Sequence, residues 1–346
     1  MNKLKNRVLI AGIGGASLGT EILKCLNLSG KYEVFGCDIS KLVYGHYLKD
    51  FKDTFIVDHN MYAKSVMELC KKIGIDFIIP GGGESTILLS KAEEEINIAG
   101  IKLATNSHDI IEKYSDKEKT FETLSSLNIS VPVTKVVSAV DEIKELKLLN
   151  FPLVIKPSCD SGGSNFVFLA EDKEEAYLYI NHLIKNYKTA VVQEYIPIDE
   201  GEYTIGVVSI PGGKVVCSTA MKREFSSKLS LSARSKTGLI SSGYSQGLID
   251  DFYDLRMQAE KIAKTIHSEG PINIQGRVRG GVLIPFEINP RFSASCYMRA
   301  LSGINEVDSF LQYLSSGTYD EQHLLQKGYY LRSFSEIFIK KENVKQ

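Results

Sequence analysis

Short apolar runs separated by glycine turns and amphipathic stretches open the chain. Residues 7–12 read as a strand, followed by a glycine turn and a helical stretch over 17–28. Residues 32–37 form a second apolar run ending at Asp38, 76–80 a third, and 85–99 a helix. Strands alternating with helices predict βαβ units on a parallel sheet, so residues 1–112 are expected to form a doubly wound α/β domain. The pattern then changes. Ser115-Asp116-Lys117-Glu118 has capping-box spacing and opens a helix that runs to about residue 127. Residues 131–137, 153–156 and 166–169 are short β-rich runs, 173–186 is helical, and 190–195, 203–210 and 214–220 are strands. Leu255, Ala259, Ile262, Ala263 and Ile266 recur at helical spacing across 251–267, and runs at 271–276 and 282–289 close as a hairpin. The second region is thus expected to be α+β with antiparallel sheets, in two subdomains over 113–195 and 196–346. The Ser-, Lys- and Gly-rich stretch 224–247 is expected to be a mobile loop.

Composition narrows the function. With 41 basic and 42 acidic residues the chain has no overall field to gather nucleic acid or anionic membrane, so neither is expected as a partner. Six cysteines lie singly, without a C-x-x-C pair, and read as reduced thiols of a cytoplasmic protein. The apolar run 8–18 follows a basic start but holds three glycines and is short for a membrane span. It reads as a buried strand and turn. A homodimer is compatible with this picture.

Four segments carry chemistry. Gly12-Ile13-Gly14-Gly15 with Gly19, followed by a strand ending at Asp38, superficially meets the dinucleotide fingerprint, but its third glycine comes one residue late. Tight helix–strand packing or a substrate-side role explains the turn as well as NAD(P) does. Between 272 and 291, Glu287 and Asn289 stand two apart in a strand and therefore share a face. If Arg279-Gly280-Gly281 forms a three-residue hairpin loop, Gln275 joins them, giving three oxygen donors for a hard cation such as Mg²⁺. Only one is charged, so nucleotide phosphates would complete the coordination, and Arg291 would grip a phosphoryl oxygen. Lys156, ending a buried apolar strand, needs an anion to meet it, and the small glycine-rich loop after it lets backbone N–H groups approach phosphate. Gln193-Glu194 at another strand end would offer groups to an adenine edge, and Glu202 would accept ribose hydroxyls.

In this order the segments resemble the ATP-grasp superfamily, and look most like its carbamoyl-phosphate-synthetase-type carboxylate–amine ligases. The matching motifs are Ser115-Asp116-Lys117, the run 151–157 with its glycine loop, Gln193-Glu194 followed by Gly201-Glu202-Tyr203, and Gln275 with Glu287-Ile288-Asn289-Pro290-Arg291. The resemblance implies a pre-ATP-grasp domain, then an ATP-grasp module. It implies that Lys117 and Lys156 contact ATP phosphates under a lid at Ser161, Gly162, Gly163 and Ser164. Gln193, Glu194, Tyr195 and Ile196 would take adenine, and Glu202 ribose. Gln275, Glu287 and Asn289 would ligate Mg²⁺ (Mn²⁺ as an alternative), and Lys156 and Arg291 would be catalytic. Gly14, Gly15 and Glu84 would line a substrate pocket, with Arg223 and Arg299 as further substrate contacts, although each also reads as a surface cation. The implied chemistry is ATP-dependent activation of a small carboxylate as an acyl phosphate and capture by an amine. Phosphotransfer without amide formation and an NAD(P)-dependent oxidoreductase are the alternatives.

Overall fold

The computed structural model describes residues 5–14, 17–139, 142, 150–158, 166–187, 189–320 and 324–345. The first unit alternates strand and helix: β1 (Asn6–Ala11), α1 (Leu18–Ser29), β2 (Tyr32–Asp38), β3 (Asp53–Ile56), α2 (Tyr62–Ile73), β4 (Phe77–Pro80), α3 (Gly83–Ser90), α4 (Glu93–Ile98) and β5 (Lys102–Leu103). All pairings are parallel, in the order β3-β2-β1-β4-β5. Such a sheet must be covered on both faces. On one side lie Val66, Cys70, Leu89 and Ile96 of the helices. On the other, α1 shares a core with Phe292, Val307 and Phe310 from the far end of the chain. The helix expected over 85–99 is two, separated at Lys91-Ala92.

Helix α5 (His108–Ser115) runs directly into α6 (Lys117–Ser126). The expected domain line at 112 falls inside α5, whose Ile110 and Tyr114 join the core of the next sheet. The N-cap of α6 is Asp116, not Ser115: its carboxylate accepts from the N–H groups of Glu118 (2.9 Å) and Lys119 (3.2 Å), which puts Lys117 at the first helical position.

A small antiparallel sheet follows, from β6 (Thr134–Val137), β7 (Leu153–Pro157), β8 (Phe168–Ala170) and β9 (Ala190–Glu194), in the order β6-β9-β7-β8, backed by α7 (Lys173–Tyr187). The larger antiparallel sheet comprises β10 (Glu202–Ile210), β11 (Lys214–Arg223), β14 (Gly247–Ile249), β15 (Pro271–Arg279), β16 (Val282–Asn289) and β17 (Gly328–Tyr330), in the order β16-β15-β10-β11-β14-β17. Between β11 and β14, the stretch expected to be a mobile loop contains a hairpin, β12 (Leu231–Arg234) with β13 (Leu239–Ser241). Glu171 accepts the turn N–H groups of Lys236 (3.0 Å) and Thr237 (3.3 Å), and these bonds explain why a polar composition still forms fixed structure. Helix α8 (Tyr253–Thr265) covers one face of the large sheet, and α9 (Cys296–Leu301) and α10 (Glu306–Ser316) lie toward α1.

Period-two alternation divides the large sheet. Tyr203, Ile205, Val207, Ile272, Ile274 and Ile288 pack with Ala259, Ile262 and Ala263 of α8. The residues between them, Glu202, Thr204, Asn273, Gln275, Arg277, Glu287 and Asn289, share the opposite face by register. The five described cysteines Cys25, Cys37, Cys70, Cys217 and Cys296 are free and buried.

Candidate nucleotide cleft

The polar face of the large sheet and the small sheet together line a cleft with about 670 Å³ of space, part of it open to solvent. One portion is apolar, with Val154, Val167, Tyr195, Ile196, Ile240 and Phe286. Lys117, Lys156 and Glu287 supply charge. Flat apolar walls beside concentrated charge suit a ligand with a planar ring and a polyanionic tail.

A two-residue turn and a bulge set the geometry of the β15–β16 hairpin. Arg279 pairs with Val282, so the loop is Gly280-Gly281, both at positive φ (59° and 75°), and not the three-residue loop expected. Without correction that loop would place Gln275 opposite Phe286. The register instead shifts at Gly276, where Phe286 is the extra residue, and Gln275 pairs with Glu287 and Asn273 with Asn289. Gln275, Glu287 and Asn289 thus share a face as expected, by a different route. The bulge also frees the Phe286 carbonyl, which accepts from Lys156 Nζ at 3.2 Å.

Lys156 is 5% exposed and donates also to Gln193 Oε1 (3.0 Å), with its ammonium 4.8 Å from the Phe121 ring centre. Burial, and then the nearby Lys117, bring its pKa down to about 7 against the opposing pull of Glu287. Gln193 lines the cleft beside Lys156, its Oε1 taken by the lysine and its Nε2 donating to Thr134 Oγ1 (2.9 Å), so both ends of the amide are engaged and the side chain positions the lysine. Glu194 uses its side chain to accept from the Val133 N–H and from Arg279, which leaves main chain to meet a ligand. Tyr195 is buried, its hydroxyl accepting from the Leu239 N–H (3.0 Å) beneath Gly238. A Cβ on Gly238 would come within 2.6 Å of the Tyr195 ring. The lid residues Ser161, Gly162, Gly163 and Ser164 lie outside the described residues.

Glu287 makes no hydrogen bond or ion pair among the described residues, although its field acts on Lys156, Arg223 and Arg291. The Gln275 and Asn289 amide oxygens meet their arginine donors, Arg223 and Arg291, only at 3.3 and 3.4 Å, longer than ordinary N–H···O bonds. An uncommitted carboxylate beside two loosely held amide oxygens fits a hard cation that completes its shell with phosphate and water. Burial lowers the pKa of Arg291, opposed by Glu287.

Glu202 and Arg223 differ from expectation. Glu202 is fully buried and accepts from Arg223 Nη1 (3.1 Å) on one oxygen and Arg277 Nε (2.9 Å) on the other. It is committed as the centre of an arginine clamp before any ribose arrives. Arg223 is neither a solvated cation nor free for substrate: it is 3% exposed and also donates to the carbonyls of Ser242 (2.8 Å) and Tyr244 (3.0 Å). Arg277, which the sequence reading did not single out, donates to the carbonyls of Ile196 (2.7 Å) and Leu239 (2.9 Å), fastening the adenine-side strand end to the β12–β13 hairpin. Its spacing of two from Gln275 was the available signal.

Arg299 is fully buried, neither a surface cation nor a substrate clamp. It donates to both Glu306 oxygens (3.0 and 3.2 Å) and to Asn273 Oδ1 (2.6 Å). Gly206 makes the room, since a Cβ there would lie 2.2 Å from Arg299 Nη1.

In the first unit, strand order reverses around β1 and β4, and the crevice at their carboxyl ends is lined by Gly12, Asp38, His59, Tyr62, Gly82, Glu84 and Ser85. Exposed Glu84 lies there. Gly14 accepts from the Ser17 hydroxyl, and Gly15 lies outside the described residues. Asp38 holds the glycine turn itself, accepting from the N–H groups of Ile13 (2.9 Å) and Ser40 (3.2 Å), where a dinucleotide domain would offer this acid to ribose. Gly19 serves close packing: a Cβ there would lie 1.9 Å from the Gly12 carbonyl oxygen.

Two interlocked antiparallel sheets around a cation-lined cleft, behind a parallel-sheet unit, define an ATP-grasp architecture, and the comparisons agree. Residues 114–249 match the RimK-like ATP-grasp domain model, and residues 186–336 match the model for ATP-grasp in the biosynthetic pathway with Ter operon. Both models describe ATP-grasp domains, and between them they take in residues 114–336. The chain is 29% identical over 234 residues to the carbamoyl phosphate synthase large chain of Clostridium perfringens, an alignment that takes in 67% of this chain and 21% of the relative. The chain thus spans about a fifth of that relative's length. Among solved structures, the fold resembles N5-carboxyaminoimidazole synthetase from Staphylococcus aureus complexed with ADP (TM-score 0.70, 18% identity, 94% of this chain and 82% of that one). It also resembles L-amino acid ligase from Bacillus licheniformis (TM-score 0.66, 17% identity, 90% and 74%).

Proposed function

We propose that the chain uses ATP and Mg²⁺ to activate a small carboxylate as an acyl phosphate and couples it to an amine. The observation that carries this reading is the convergence of Glu287, Gln275 and Asn289 on one sheet face, with Lys156 and Arg291 within the reach of the Glu287 field. In this reading the apolar walls take adenine against Ile196, while Lys117 and Lys156 hold phosphate oxygens. Glu287, with the two amide oxygens, would hold Mg²⁺, which supplies charge neutralisation on the phosphoryl oxygens. Burial makes Lys156 and Arg291 effective there, because fixed cations in a dry site need no reorganisation. The substrate carboxylate oxygen forms a bond to the γ-phosphorus as the bond to the β-bridging oxygen breaks and ADP leaves. The amine then attacks the acyl carbon. Phosphate departs with the bonding pair, and the amine gives up a proton.

The crevice with Glu84 at the β1–β4 switch is the proposed substrate side of the first unit, with Gly14 on the turn beside it. Phosphate release, screened with small acids alone and paired with amines, tests the reading. Release that requires both a carboxylate and an amine is expected. Release with one carboxylate alone would assign phosphotransfer instead, and tight NADH binding without ATP turnover would overturn both.

A further inference from the structure

Beyond β17 the chain leaves the sheet edge. Residues 331–339 make no backbone–backbone hydrogen bond among the described residues. The stretch is nevertheless fixed in place. The Arg332 side chain reaches inward to Glu21 (3.1 Å) and to the Ala294 carbonyl. Ser335 and Tyr44 hydroxyls meet at 2.7 Å, and Lys345 Nζ donates to Thr54 Oγ1 (2.8 Å).

Between the Ser335 and Lys345 anchors lies Glu336-Ile337-Phe338-Ile339-Lys340, a sequence of high β-propensity. Phe338 is 87% exposed. Glu336 and Lys340 are exposed and make no ion pair among the described residues. An unpaired, apolar segment held along the surface is a template for pairing with another chain. The sequence itself says which chain.

We propose that residues 336–340 form the interface strand of a homodimer, pairing antiparallel with the same segment of a second copy about a two-fold axis through Phe338. In that register Glu336 of each copy faces Lys340 of the other, and Ile337 faces Ile339. The Glu336–Lys340 pair is thus made twice, once for each copy's Glu336, and the apolar side chains cover one another. Moving the axis by one residue sets Glu336 or Lys340 opposite Phe338 and loses both pairings. The anchors on either side pre-organise the strand and lower the cost of ordering it on association. One short strand pair covers less than a standard interface of about 1,600 Å², so the dimer is concentration-dependent.

Sedimentation velocity of the full chain across the micromolar range tests this, and a reversible monomer–dimer equilibrium is expected. Glu336→Lys sets two like-charge pairs in the interface and weakens dimerisation at least about tenfold. The double variant Glu336→Lys with Lys340→Glu restores it. Phe338→Cys, on the axis, forms an interchain disulfide with its own counterpart under mild oxidation by copper phenanthroline. A chain that stays monomeric, a dimer indifferent to Glu336→Lys, or a dimeric Phe338→Cys protein that does not cross-link would each overturn the proposal. Circular dichroism of each variant checks that the fold is retained.

Discussion

Lys156 and Arg299 are both buried cations, and their surroundings separate a site residue from a structural one. Burial strips Lys156 of water, and with only neutral acceptors and Lys117 nearby its charge is under-compensated, so its pKa falls to about 7. A bound phosphate would favour the ammonium and raise that value. Above about pH 7 binding must then take up a proton, so ADP affinity should fall by up to about tenfold per pH unit there and stay nearly level below. Calorimetry in buffers of different ionisation enthalpy reads that proton directly, and a level profile through pH 7 would refute the assignment. Arg299, by contrast, is matched by Glu306, whose own pKa burial raises. Arg299→Ala strands that carboxylate in the core and should cost about 3–5 kcal/mol in urea unfolding, on the scale of broken buried pairs. An equally stable variant with altered substrate KM would restore the clamp reading. Sequence alone exposed Lys156, because a lysine ending an apolar strand is conspicuous. It misread Arg299, because the partner that buries it, Glu306, and the space beside it, at Gly206, are fixed only by tertiary packing.

At the scale of elements, alternation was legible and register was not. The shared face of Glu287 and Asn289 follows from strand period alone. Adding Gln275 required the loop length: the expected three-residue loop gives the right face but sets Gln275 opposite Pro285, whereas the real two-residue turn with the bulge at Phe286 sets it opposite Glu287. Deleting Phe286 removes only the extra residue, so Gly276–Pro285 and Gln275–Glu287 stay paired and the donors keep their face, while the carbonyl that receives Lys156 is lost. The deletion variant should retain far-UV circular dichroism and the Mg²⁺ dependence of ADP binding, with ADP bound more weakly because Lys156 loses an acceptor that positions it. Loss of the Mg²⁺ dependence would mean that the bulge itself, and not the strand register, aligns the donors. The capping aspartate was displaced by one residue for a related reason: the preceding helix α5 extends to Ser115, which only its packing against the large sheet decides.

For the whole molecule, the parallel unit and the two antiparallel sheets were legible because a helix-period pattern alternates with strands in one and not in the other. What sequence could not supply is that α1 and α10 share a core, so the first unit is built onto the large sheet's helices and not merely strung before them. The glycine turn at Gly12 packs against Gly19 at the start of α1 and against Gly81 after β4, a close-packing role that accounts for its glycines without a dinucleotide. Everything proposed for the catalytic chemistry depends on the cleft between the sheets binding nucleotide with a metal held by Glu287. Calorimetric titration of ADP, with and without Mg²⁺, into the wild-type chain and Glu287→Ala addresses it most directly. The wild type should bind one ADP, at least about tenfold more tightly with Mg²⁺. Glu287→Ala should lose that dependence while melting as the wild type does. Absence of ADP binding by the wild type, or an Mg²⁺ effect unchanged in Glu287→Ala, would contradict the account.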